Sequence, residues 1–258
     1  LEEFWAYNND LTGTIPEQLG SLTHLTTLAL DENKLSGYIP TELEQLNSLA
    51  ELNLSGQRSR KRIFGPLLSF SSNPNLTGVS IGGNNLEGPI PPDFLKDVDH
   101  NMDIKIDLSF NMLTGAVPLT LDDFTKLDIN LVGNGIDELD DIFCDNAEWM
   151  AGAVQNYGCK AILCPKNTYN PRGRQIEDTR VCKDCDPGDD APFMGSLTCR
   201  SQGLLVEEKI ILTQIYDALN GTNWVKQRKW NSDDPICTWY GVGCDGDDEN
   251  SGVTLLQL

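Results

Sequence analysis

The chain has 258 residues, 39% of them apolar and 22% charged, the balance of a folded protein with room for one large or two small domains. Acidic residues outnumber basic ones by 39 to 19, a formal net charge of −20. A chain so short of Lys and Arg is poorly suited to phosphate backbones, which excludes nucleic acid as an expected partner. No apolar run reaches the roughly 18 residues of a membrane-spanning helix, so any membrane link is expected only through segments outside this stretch.

In chain order, the first pattern to recur is Asn9 followed by Leu11-Thr12-Gly13-Thr14-Ile15-Pro16. It returns complete in Leu25–Pro40, LTTLALDENKLSGYIP, where Leu25, Leu28, Leu30, Asn33 and Leu35 fit L-x-x-L-x-L-x-x-N-x-L, the leucine-rich-repeat signature. Leu28 and Leu30 are two apart, so in a strand both face inward. Asn33 falls where the chain turns, and a buried amide there can bond turn backbone that otherwise lacks partners. The tail recurs as Leu86-Glu87-Gly88-Pro89-Ile90-Pro91 and Leu113-Thr114-Gly115-Ala116-Val117-Pro118. This L-[ST]-G-x-[IV]-P pattern resembles the plant-type leucine-rich repeats of receptor-kinase ectodomains, polygalacturonase inhibitors and related secreted proteins.

Aligned on the turn residue, the units fall at Asn9, Asn33, Gln57, Asn84, Asn111 and Asn134, with spacings of 24, 24, 27, 27 and 23. The expected fold is an α/β solenoid: a curved array of about six repeats with parallel strands, then a small disulfide-rich cap and the N-terminal cap of a second array. The third unit departs from the pattern. Gln57 replaces Asn, and Arg58-Ser59-Arg60-Lys61-Arg62 stands in place of the tail, with Gly65-Pro66 as its displaced remnant. The basic run reads as a projecting loop: a tolerated insertion, a contact for an acidic partner, or a processing site.

From Asp137 the repeat stops, and Leu139, Ile142 and Phe143 are expected to cover the open end. All eight cysteines lie between Cys144 and Cys244, the first six spaced C-x14-C-x4-C-x17-C-x2-C-x13-C. An even, clustered set points to disulfides and an oxidising, extracellular or cell-surface location. The sequons Asn53-Leu54-Ser55, Asn75-Leu76-Thr77 and Asn220-Gly221-Thr222 agree, marking Asn53, Asn75 and Asn220 as candidate glycosylation sites. Cys164-Pro165-Lys166-Asn167-Thr168-Tyr169 through Cys182-x-x-Cys185 resembles extracellular C-P-x-G-T-Y…C-x-x-C modules, with Asn167 in place of the Gly. Trp149, Met150 and Val154 suit a short helix between the first two cysteines. A zinc site at Cys182 and Cys185 would need Cys159 and Cys164 as its second pair; disulfides are the expected state, with no metal and no cofactor.

Leu204, Ile211, Leu212, Ile215 and Leu219 fall at helical spacing, ended by Asn220-Gly221. Trp224, Trp230 and Cys237-x-Trp239-x-Gly241-Val242-x-Cys244 then resemble the N-terminal cap of plant-type leucine-rich-repeat domains, in which the two cysteines are bridged. Val253–Leu258 would be the first strand of a second array. The domains are thus expected at 1–143 (array), 144–203 (cysteine-rich cap or spacer) and 204–258 (second N-terminal cap), the whole being a stretch of a longer protein. Sequential pairing, Cys144–Cys159, Cys164–Cys182 and Cys185–Cys199, is expected beside the Cys237–Cys244 bridge that the resemblance implies.

Chemistry finds little support. No H-E-x-x-H, Walker A or G-x-S-x-G pattern occurs, and the only histidines, His24 and His100, lie in unrelated repeats. Adjacent acids such as Asp122 with Asp123 point in different directions and read as solvated, not as a catalytic pair. The chain is therefore expected not to be an enzyme. Outward strand positions carry Trp5, Tyr7, Asn8, Asp31, Glu32, Glu51, Asp107 and Phe110, the aromatic and acidic mix of a recognition surface. The expected function is non-catalytic extracellular recognition of a protein, peptide or glycan on the concave face, in a receptor-like, adhesion or inhibitor role. The alternative is a structural wall or matrix component in which the repeats form a rigid spacer.

Overall fold

The computed structural model describes residues 1–59, 62–201, 212, 216, 242–244 and 253–256. The chain divides into two compact units, Leu1–Asp184 with Ala191–Thr198, and Cys185–Asp190 with Cys199–Leu258.

The first unit is the repeat array with its cap. Its strands are β1 (Glu3–Trp5), β2 (Thr12–Gly13), β3 (Thr27–Ala29), β4 (Lys34–Leu35), β5 (Glu51–Asn53), β6 (Phe64–Gly65), β7 (Gly78–Ser80), β8 (Asn85–Pro89), β9 (Asp103–Asp107), β10 (Met112–Ala116), β11 (Lys126–Asn130) and β12 (Gly135–Glu138). Six of them, in the order β1-β3-β5-β7-β9-β11, form one parallel sheet in register Trp5↔Ala29↔Asn53↔Ser80↔Asp107. A second parallel set is built from the Leu-x-Gly tails: β2 beside β4, and β6-β8-β10-β12, joined by a bridge from Gly37 to Ile63. This second sheet is not visible in the spacing of the leucines. It follows from every tail leaving its turn in the same extended conformation.

The tail prolines Pro16, Pro40 and Pro118 each start a 3-10 turn. Pro40 is held extended (φ −63°, ψ 131°), has no N–H to leave unpaired, and its carbonyl accepts from Leu43 N at 3.1 Å. Pro16 and Pro118 act alike on Leu19 and Leu121. Between the sheets and these turns, Leu28, Leu43, Leu52, Leu54, Val79, Ile81, Phe94 and Leu108 are wholly buried in one continuous core, each side chain worth about 1.5–3 kcal/mol of transfer free energy. The repeats thus use 3-10 turns where an α/β label suggests α-helices. Among the described residues, α-helix is confined to α1 (Ala153–Tyr157) and to Leu212 and Tyr216.

Amides, buried at all but Asn134, which is half-buried, tie each repeat to the one before. Asn33 donates to its own strand at Leu30 O (3.0 Å) and to the preceding repeat at Ala6 O (2.9 Å), and its Oδ1 accepts from Leu11 N (3.1 Å). Asn84, Asn111 and Asn134 repeat these three bonds, accepting from Ile63 N, Leu86 N and Leu113 N. Gln57, a departure in sequence, makes the same set: Leu54 O and Leu30 O as acceptors, Leu35 N as donor. Its longer side chain reaches the positions the asparagines occupy. Asn9 is exposed and, among the described residues, bonds only Ala6 O and Tyr7 O.

The basic insertion leaves this frame intact. Ile63 is fully buried, and Gly65 has φ +91°, beside +90° at Gly37 and +88° at Gly13, so Ile63-Phe64-Gly65 is the tail of the third repeat. Arg58 does not project. It folds back, donating to Asn8 Oδ1 at 2.8 Å and to Glu32 O. Arg60 and Lys61 lie outside the described residues. A processing cut after Arg62 would expose Ile63, whose N–H donates to buried Asn84, so that bond belongs to the repeat core.

The open end of the array is covered differently from the expectation. Phe143 is fully buried, but Ile142 is 47% exposed. Its place is taken by Trp149, which stacks on Phe143 at 5.4 Å and donates to Phe124 O at 2.7 Å. Met150 and Val154 are buried beside it. Of these three, only Val154 lies within α1; Trp149 and Met150 precede it at a kink, Met150 with φ +56° and ψ +41°. The last strand would otherwise present unpaired backbone, a ready template for another chain. Here Ile129 N donates to Met150 Sδ (3.4 Å), Ile129 O accepts from Arg174 Nη1 (3.4 Å), and Ile136 O of β12 accepts from Met194 N (2.9 Å). Disulfides Cys144–Cys159 and Cys164–Cys182 staple this cap, and β13 (Thr168–Tyr169) pairs antiparallel with β14 (Lys183–Asp184).

In the second unit, Cys185 bonds Cys199, and β15 (Asp189–Asp190) pairs antiparallel with β16 (Arg200–Ser201), with Arg200 Nε on Asp190 at 2.7 Å. Cys159, Cys164, Cys182 and Cys185 are thus divided among three disulfides, so a zinc site built on them is overturned. Leu212 and Tyr216, four apart, are helical and buried. Strand β17 (Val242–Cys244) pairs antiparallel with β18 (Val253–Leu256), the strand expected to open a second array. Cys237 and Asn220 lie outside the described residues, so the Cys237–Cys244 bridge and the third sequon stay expectations.

Candidate functional site

The outward face of the six-stranded sheet carries the expected residues in rows set by the strand register. One row runs Glu3, Thr27, Glu51, Gly78, Lys105, Asp128, and the next Trp5, Ala29, Asn53, Ser80, Asp107, Asn130. Trp5, Tyr7, Asn8, Asp31, Glu32 and Glu51 gather on the first three repeats. Asp107 and Phe110 stand apart on the fifth. Between them the fourth repeat offers only Gly78, Ser80, Gly82 and Gly83. Ala29, expected to face out, is 4% exposed because its short side chain lies in a row between Trp5 and Asn53.

Trp5, Tyr7 and Phe110 expose more than half of their surface. Trp5 meets Tyr7 edge-on at 6.2 Å between centroids, and its Nε1 donates to Glu3 Oε2 at 2.8 Å. Glu51 lies over Gly78, filling the space a Cβ would take, and accepts from Thr77 Oγ1 at 3.1 Å. Asp107 Oδ1 accepts from Ser109 Oγ (2.6 Å) and Asn53 Oδ1 from Ser55 Oγ (2.7 Å). Burial holds the Asp31 carboxyl above its ordinary 3.8, opposed by a bond to its own backbone N–H and aided by the charge of Glu32. The sequon residue Asn53 sits within this surface; Asn75 is exposed outside these two rows, donating to Asn47 O at 2.7 Å.

The residue before each turn amide has positive φ: Asn8 (51°), Glu32 (51°), Gly56, Gly83, Phe110 (53°) and Gly133. A side chain there is thrust outward at a steric cost that Gly avoids. At Phe110 and Glu32 the strain accompanies exposed groups on the candidate surface. Sequence reasoning missed Arg58 as part of this region, because its bonds to Asn8 and Glu32 cross three repeats. Among the described residues, no group of side chains is arranged to hold a metal ion.

Comparison with known proteins bears on this geometry. Residues 6–58 match the leucine rich repeat family, and residues 207–245 match the leucine rich repeat N-terminal domain. The chain carries plant-type leucine-rich repeats. It is 31% identical to receptor-like kinase TMK2 of Arabidopsis thaliana over 125 residues, 47% of this chain and 13% of that protein. It is 34% identical to receptor-like protein 35 of Arabidopsis thaliana over 131 residues, 48% of this chain and 12% of that protein. The repeats therefore align with about an eighth of either relative. Among solved structures, the plant peptide hormone receptor RGFR1 in complex with RGF2 is similar at a TM-score of 0.51 with 26% identity, covering 58% of this chain and 23% of that one. With receptor-like relatives and three disulfides, the location is extracellular. No described helix is long and apolar enough to cross a membrane.

Proposed function

We propose that this chain is a non-catalytic recognition module that binds a peptide or protein on the concave face of its array. One observation carries the reading: Trp5, Tyr7 and Phe110 are left exposed on the outward side of a sheet whose inward side chains from β3 to β11 are buried, Phe4 of β1 being half-buried. Exposed aromatic groups beside acids and amides are the residues that anchor partners. One similar solved structure is that of a plant peptide hormone receptor in complex with RGF2. On this reading Trp5, Tyr7, Asn8, Asp31, Glu32 and Glu51 form the primary contact and Asp107 and Phe110 a second. Residues 1–143 supply the array, 144–203 the cap and spacer, and 204–258 the start of a second array.

The test is panning of the full chain against displayed random peptides. Selected peptides should lose at least ~tenfold in affinity, about 1.4 kcal/mol, with Trp5→Ala and Tyr7→Ala together. Loss instead with Arg60→Ala and Arg62→Ala would move the site to the basic insertion.

A further inference from the structure

The tails of the second and third repeats carry groups that the concave face does not use. Lys34–Pro40 and Arg62–Pro66 hold two cations and no acid, in a chain with 39 acids and 19 bases. Lys34 is taken by Asp10 at 2.8 Å. Arg62 is half-buried, yet among the described residues its side chain has no hydrogen bond or ion pair. Ile63 points into the core, so alternation sends Arg62 and Phe64 together to the outward side of the tail sheet. Beside them, Tyr38 meets Phe64 at 4.7 Å between ring centroids. The Tyr38 ring lies on the backbone of Gly65, where a Cβ would run into it. Tyr38 is thus held in place while 61% exposed.

The same side of this sheet already seats an aromatic at its cap end. Phe193 lies over Gly135 of β12, its Cε1 3.7 Å from where a Cβ would stand, and Gly135 alternates with buried Ile136. Tyr38 has no such cover. On the next strand Asn85 stands in register with Phe64, and Glu87, two residues further, is exposed.

We propose that this patch docks an acidic, extended segment of a partner protein, a carboxylate on Arg62 and an apolar side chain on the Tyr38–Phe64 pair. Charge selects the partner. A half-buried guanidinium without an acceptor gains most from a carboxylate, which it can hold through two parallel bonds. The aromatic pair adds apolar area that needs little further ordering. Residues two apart in an extended segment face one side, so an acid and an apolar group at that spacing match Arg62 and Phe64. The patch lies on the tail sheet and does not rest on what Trp5 and Tyr7 bind.

The experiment is an NMR titration of the full chain with acetyl-Glu-Ser-Phe-Ser-Glu-amide and a twin carrying Gln for both Glu, at about 0.02 M salt, where screening is weak. The acidic peptide should bind at least ~tenfold more tightly than the twin and shift the amides of Gly37, Gly65 and Asn85. Raising salt to about 1 M should shrink that ratio. Arg62→Gln should bring the twins within about twofold of one another. Tyr38→Ala, at an exposed position, should weaken both about equally, by about threefold or more. The twins on wild type and on Tyr38→Ala decide the matter if Arg62→Gln fails to fold. Equal binding of the twins, saturation by neither, an acid preference that survives Arg62→Gln, or binding untouched by Tyr38→Ala would overturn the inference. Shifts confined to Trp5 and Tyr7 would do the same by placing the peptide on the concave face. So would tighter binding of trigalacturonate than of the peptide, or self-association of the chain abolished by Tyr38→Ala, since each names another occupant.

Discussion

The turn amides and the concave face come from the same repeats, a few residues apart, and obey opposite rules. At the amides, Asn33, Gln57, Asn84, Asn111 and Asn134 make one set of three bonds throughout, even where the residue type and the length of the following loop change. On the concave face, successive strands place Trp, Ala, Asn, Ser, Asp and Asn at the same register position. The difference teaches where the chain is constrained. Buried backbone must find partners, so only an amide of suitable reach is accepted at the turn. A solvated sheet position imposes no such demand and is free to carry recognition.

That contrast can be broken most severely at the amides. Asn84→Ala leaves the buried N–H of Ile63 without its acceptor and removes bonds to Leu54 O and Ile81 O. The first unit should lose about 3 kcal/mol in urea denaturation, since an orphaned buried donor alone is worth about 1–3 kcal/mol. Next comes Gly133→Ala. At φ +74°, with the new Cβ 2.6 Å from the Phe110 ring, it should lower stability by about 1–2 kcal/mol by the same assay.

Gln57 sharpens the comparison. If it acts as an asparagine of longer reach, Gln57→Asn should change stability by less than about 1 kcal/mol, while Gln57→Ala should approach Asn84→Ala. Equal losses for both would mean that the third repeat needs glutamine's length.

The smallest effect is electrostatic. The native state holds the Asp31 proton to higher pH than the unfolded chain does, so stability from this group is full below the unfolded value of about 3.8 and lost as pH rises through the raised native value. Asp31→Asn should therefore leave the melting temperature unchanged near pH 3 and raise it slightly near pH 7. A larger gain at acid pH would reverse the assignment.

The array was legible because its rule is local. Two leucines flanking an outward residue, then an amide, then Leu-x-Gly, give strand, turn and tail from sequence alone, and the sequential cysteine pairs lie close along the chain. Less legible was whatever depends on neighbours in space. Gln57 looked like a break because composition does not show that its Nε2 reaches Leu30 and Leu54 carbonyls. Arg58 looked like a projecting cation because Asn8 is 50 residues away. Ile142 looked like cover for the open end, a place that Trp149, Met150 and Arg174 fill from further along the chain. The concave residues were found as outward positions, and the strand register sets which of them lie side by side.

The central claim is that the amides hold the fold while the concave aromatics recognise a partner. Its most direct test measures affinity for a selected peptide and the melting temperature on the same two proteins, Trp5→Ala/Tyr7→Ala and wild type. The account predicts a loss of at least ~tenfold in affinity with stability changed by no more than about 0.5 kcal/mol. Retained affinity, or a loss that appears only with unfolding, would contradict it.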